Sequence, residues 1–224
     1  MPLQPFFNEY GMMIETLYSL VAIASCFIIY FKTKDLYELT AHRGIRYFRN
    51  TFLFFGFASL IRFVFHALPR FMARGPEFFS FGMFEIVFSI SIYLSCVAFF
   101  YLLLSILWRK LSKSLLKKEY LIHIFALIIT LMGMIRMFPS MFILFQLVLF
   151  ALLAYVLYFA WKERKKLNKL YVIYLMMFGL MIMSNVLEFL SFFTPLIAFM
   201  IYCVSIPLFI IVLMKVLADL NPEK

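Results

Sequence analysis

The sequence predicts an all-α integral membrane protein, a bundle of seven transmembrane helices with its N-terminus outside and its C-terminus in the cytoplasm. Three observations point there. The first is composition: 66% of the 224 residues are hydrophobic and 14% charged, with 31 Phe and a mean hydropathy of +1.00. Soluble domains run near half apolar and about a quarter charged. The second is length, because seven apolar stretches match the ~20 residues a helix needs to cross the hydrocarbon core. The third is positive charge, which falls on alternate connections.

The helices are expected near 12–31, 48–68, 79–107, 120–138, 141–161, 170–193 and 196–216. The third is longer than a crossing requires and should tilt or project into the cytoplasm. The fourth is the shortest, and only the Pro139–Ser140 turn joins it to the fifth. The apolar runs are continuous, without two-residue alternation, which excludes barrel strands. Connections are short and Gly (7) and Pro (8) are sparse, so residues 1–224 are expected to form a single transmembrane domain. Gly56, Gly133 and Gly179 in the even-numbered helices, followed by Pro69, Pro139 and Pro195, hint at three repeated hairpins. Their unequal spacing fits chance equally well.

Lys32, Lys34, Arg43, Arg46 and Arg49 lie between the first two helices. Arg109, Lys110, Lys113, Lys117 and Lys118 follow the third, and Lys162, Arg164, Lys165, Lys166 and Lys169 follow the fifth. With Lys215 and Lys224, seventeen of the 21 basic residues mark one side, against Arg70 and Arg74 on the opposite connections. The basic side is expected to be cytoplasmic, in the cell membrane. Residues 1–11 contain no Lys or Arg, so they lack the basic region of a cleaved signal peptide and the first helix should be retained. This distribution accounts for the net charge of +10 without a nucleic-acid partner. Anionic lipids at the basic connections are the simplest partners, and a cytoplasmic protein docked there is the sharper alternative.

No HExxH, Gly-x-Ser-x-Gly, P-loop or paired acidic motif appears in the chain. His66 and His123 fall near opposite membrane surfaces and cannot face each other across a haem, and His42 lies in a connection. No enzyme, cofactor or metal centre is therefore expected. Cys26, Cys96 and Cys203 sit inside apolar runs without CxxC spacing and read as packing residues, as do Met176, Met177, Met181 and Met183. The middle of the seventh helix reads Cys203-Val204-Ser205-Ile206-Pro207, and Lys215 lies two turns beyond it; the third helix closes on Ile106-Leu107-Trp108-Arg109. The chain thus resembles microbial rhodopsins and G-protein-coupled receptors in topology alone, without a retinal-binding lysine or an Asp-Arg-Tyr signature. Pro207 frees the Cys203 carbonyl and should kink its helix.

A charge at the bilayer centre costs about 2.5–3.5 kcal/mol on insertion scales, so each one requires a reason. Depths counted at ~1.5 Å per residue place eight polar groups in one layer, roughly 4–12 Å below the outer surface. They are Glu15 in the first helix, Arg62 and His66 in the second, Glu85 in the third, Arg136 in the fourth, Gln146 in the fifth, and Asn185 and Glu188 in the sixth. On the third helix Glu85, Ser89, Tyr93 and Cys96 form a polar stripe that should face the bundle. The inner half carries only scattered Ser, Thr, Cys and Tyr before the basic rim. Two readings fit this layer: an ion-pair and hydrogen-bond network that fixes helix register, or a polar cavity, open to the outside, that holds a small ligand. The corresponding functions are a non-enzymatic sensor- or receptor-like bundle, a small-solute or ion transporter or channel, and an accessory subunit of a membrane complex. A transporter would need a polar route through both halves.

Overall fold

The computed structural model describes residues 3–67, 81–108, 119–134, 148, 151, 154, 155, 158, 173, 176, 177, 179–183 and 195–220. The described chain is helical, with α1 at Leu3–Thr40, α2 at Arg43–Arg62, α3 at Phe81–Leu107, α4 at Tyr120–Met134 and α5 at Pro195–Leu220. Four of these are long and apolar enough to cross a membrane: Met13–Thr40, Arg43–Phe65, Ile86–Leu107 and Leu196–Ala218. This is the architecture of a multi-pass integral membrane protein. α5 is the seventh segment of the sequence, and described residues of the fifth and sixth segments are helical as well.

Helix α1 is far longer than its apolar run. Its 38 residues span about 57 Å, and the charged stretch after Phe31 stays helical with a Lys34–Glu38 pair at 3.6 Å, one turn apart. The connection expected between the first two helices is thus largely helix itself. Its turn is two residues, Ala41 and His42. Ala41 takes a left-handed φ of 47° and donates its N–H to the Tyr37 carbonyl at 2.8 Å, the αL way of ending a helix. Helix α2 follows at Arg43, and the next residue, Gly44, is buried. A Cβ at Gly44 would stand 2.6 Å from Trp108 Nε1 at the end of α3, so glycine permits this contact.

Beyond Arg62, α2 widens into a π-turn at Phe63–Ala67; such turns re-aim side chains and recur at functional positions. The sequence places Pro69, which has no N–H to donate, just after it. Helix α5 continues through Pro207.

Two apolar cores meet on α3. One joins Ala22, Cys26 and Ile29 of α1, Phe52 and Phe55 of α2, and Leu102 of α3 with Met177 and Met181 of the sixth segment and Phe209 of α5. The other joins Tyr47 of α2, Cys96 and Tyr101 of α3, and Ile122 and Ala126 of α4. The spanning window of α3 is 61% buried, against 28–39% for the other three, so α3 is the central helix among those described. Met177, Met181, Cys26 and Cys96 pack as expected, whereas Cys203 is exposed.

Candidate functional site: two polar clusters on the central helix

Helix α2 carries arginines near both ends, and each reaches a neighbouring helix. At the far end the Arg62 Nε donates to Ser91 Oγ at 2.7 Å, and one Nη donates to Ser95 Oγ at 2.8 Å. Ser91 and Ser95 are one turn apart on α3, and both are buried, with 1% and 2% exposure. The hydroxyls grip two edges of the guanidinium and fix its plane. Both are neutral, so they orient the cation without cancelling its charge. The π-turn begins at the next residue, Phe63.

Nearer the α1–α2 turn, a second cluster spans three helices. Arg46 forms an ion pair with Glu119, the residue just before α4. The Tyr47 hydroxyl donates to the same carboxylate oxygen at 3.2 Å. A carboxylate at the start of a helix also meets the positive end of its dipole. One turn into α4, His123 Nδ1 shares a 2.8 Å hydrogen bond with the Tyr93 hydroxyl. Phe54, Tyr93 and Tyr101 place their rings 6.3–6.4 Å from the imidazole. Tyr93 lies at the middle of α3, so polar groups reach further into the basic half of the bundle than its residue types suggested.

Of the eight residues singled out from the sequence, Arg62 is placed with its partners. Glu15 is half-buried on α1, and its backbone carbonyl accepts from Ser19 at 2.9 Å. His66 falls in the π-turn and Glu85 on α3, and the side chains of both lie outside the described residues, as do Arg136, Gln146, Asn185 and Glu188 entirely. The expected stripe on α3 is met at Tyr93, which bonds His123, and at Cys96, which packs in the second core. Ser91 and Ser95 were not singled out; their cue is a serine pair four residues apart on the helix following an intramembrane arginine. Arg46 and Glu119 looked like rim charges in the sequence, and nothing local tied them together. Among the described residues no group of His, Cys, Asp and Glu side chains is arranged to hold a metal ion.

No protein-family model matches the chain, and no solved structure matches it. A protein of Archaeoglobus fulgidus, described as "Uncharacterized protein", is 32% identical over 213 residues, covering 92% of this chain and 92% of that protein.

Proposed function

We propose for this chain, which belongs to one family with that Archaeoglobus fulgidus protein, the role of a non-enzymatic, sensor-like membrane bundle. In this reading the chain is one domain of seven transmembrane helices in the cell membrane, N-terminus outside and C-terminus cytoplasmic. The observation that carries the reading is Arg62, whose guanidinium is oriented by Ser91 and Ser95 beside a π-turn. An oriented cation in an apolar surround is suited to a small ligand bearing a negative or strongly polar group. Glu15, His66, Glu85, Arg136, Gln146, Asn185 and Glu188 would complete the lining. The Arg46–Glu119 cluster, which ties α2 to the start of α4 at the basic end, is where a shift of α3 would reach the cytoplasmic face and a partner protein there. The basic rim would meet anionic lipids.

A transporter is the second reading, favoured by the Tyr93–His123 pair, which extends polar groups into the basic half; an accessory subunit is the third. Cysteine labelling separates them. On a background lacking Cys26, Cys96 and Cys203, Phe88→Cys and Ser105→Cys would be exposed to a membrane-impermeant thiol reagent from outside. Phe88 is half-buried one turn from Ser91 on the Arg62 side, and Ser105 is buried near the opposite end of α3. Labelling at 88 alone is the expected result. Labelling at both positions indicates a continuous aqueous path and a transporter; labelling at neither leaves a closed structural network and favours the accessory subunit.

A further inference from the structure

Arg49, on the same helix, is held differently from Arg46 and Arg62. Arg49 lies against α1 with its guanidinium carbon 5.3 Å from the Tyr30 ring centroid and 5.0 Å from that of Tyr37. Two faces of one helix's aromatics thus hold a cation of its neighbour. The Arg49 Nε is buried, and among the described residues it has no hydrogen-bond partner and no carboxylate pairs with Arg49. Glu38 is engaged by Lys34 and Glu119 by Arg46. A buried guanidinium N–H without an acceptor is a standing cost, and an anionic oxygen is the acceptor that suits it best.

The surroundings say what carries that oxygen. Tyr30 and Tyr37 straddle the point on α1 where the apolar run ends and Lys32 and Lys34 begin, the depth at which aromatic residues sit among lipid headgroups. Just inside that level, Phe31 is 61% exposed. Deeper still, Phe27 of α1 meets Phe57 of α2 edge to face at 5.6 Å, and Phe57 is exposed. A headgroup phosphate at Arg49 would therefore have an apolar seam running from it along the α1–α2 pair, where an acyl or isoprenoid chain can lie.

We propose that Arg49, Tyr30 and Tyr37 form a binding site for one phosphate-bearing anionic lipid, with Phe27, Phe31 and Phe57 along its tail. The proposal rests on the membrane-spanning reading of the chain but not on the Arg62 pocket. Cysteine labelling could fail at position 88 while this site persists, and the reverse also holds.

The test is native mass spectrometry of the delipidated full-length protein in a neutral detergent, offered phosphatidylglycerol and phosphatidylcholine in equal amounts. Wild type is expected to retain one phosphatidylglycerol in preference to phosphatidylcholine. Arg49→Gln should lower that preference by about fivefold, the value of one well-placed arginine at a membrane surface. Arg49→Lys keeps the charge and guards against misfolding, yet loses the Nε donor, and should also bind more weakly than wild type. Arg43→Gln, at an exposed position, should change the ratio less than Arg49→Gln. Equal retention by wild type and Arg49→Gln would overturn the site. So would an equal loss in Arg43→Gln, which would mean a diffuse basic surface. Displacement of the lipid by millimolar inorganic phosphate would overturn the lipid assignment in favour of a free-anion site.

Discussion

Arg46 and Arg62 sit near opposite ends of one helix, and the partners described for them differ in charge. Arg46 meets a carboxylate, Glu119, at a position where the two side chains are 36% and 33% exposed. Arg62 meets two buried serine hydroxyls. The first arrangement neutralises a charge that water already screens in part, so it works as a joint between α2 and α4. The second fixes the direction of a guanidinium within an apolar surround, where each polar contact counts for more. A joint and an oriented cation serve different ends, which is why the proposed function puts the ligand at Arg62 and the output at Arg46.

The sharpest way to break this comparison is at Arg62. The polar layer predicts that a carboxylate, Glu85 or Glu188, also answers Arg62 across the bundle. Removing one member of such a buried pair should cost about 3–5 kcal/mol, because the other charge is left uncompensated, while removing both should cost less. Arg62→Leu, Glu85→Leu, Glu188→Leu and the two doubles with Arg62→Leu would be compared by thermal melting in detergent. One double is expected to melt above its worse single. If neither does, the serines hold Arg62 without a carboxylate.

At the other end the effect should be smaller. Glu119→Ala removes the partner of Arg46 and the acceptor of Tyr47, yet both charges are about one-third exposed. A loss of about 1–2 kcal/mol is expected, between the values of surface and buried pairs. Molar salt should shrink the difference between wild type and variant. Tyr47→Phe should cost less, since it removes a single neutral donor, about 0.5–1.5 kcal/mol. A larger loss in Tyr47→Phe than in Glu119→Ala would show the hydroxyl, not the ion pair, to be the joint.

The contrast also explains what could be read from the residues alone. Arg62 stood out because a charge inside an apolar run is rare and costly. Its partners did not, because serine carries no charge and a transmembrane helix accommodates a hydroxyl by turning it onto its own carbonyls, as Ser105 does with Leu102 at 2.7 Å. Tyr93 was legible through its stripe with Ser89 and Cys96, but not its bond to His123, since helix depth counted from apolar ends does not fix how far α4 is offset along α3. Helix ends were misjudged for a related reason. Hydropathy stops at Lys32, whereas α1 continues to Thr40 because charged residues with one-turn pairing extend a helix well outside the hydrocarbon. For α2 the structure moves the start from 48 back to Arg43 and changes the last turn to π geometry.

The smallest expected effect lies at the turn between α1 and α2, on which the Arg46 and Arg49 arrangements both depend. Ala41 holds a left-handed backbone, φ 47°, at the position where helices most often end on glycine. For an L-residue with a Cβ that conformation costs about 1–2 kcal/mol, and glycine removes the cost at an entropic penalty of about 0.5–1 kcal/mol. Ala41→Gly should therefore stabilise the protein by up to about 1 kcal/mol, a rise of roughly 2–4 °C in melting midpoint for a chain of this size. Ala41→Val should do the opposite, because a β-branched side chain tolerates this region least. If the hairpin aligns Arg46 with Glu119, Ala41→Gly should leave the cost of Glu119→Ala unchanged. A Glu119→Ala penalty that vanished in the Ala41→Gly background would show instead that the strained turn is what holds that joint closed.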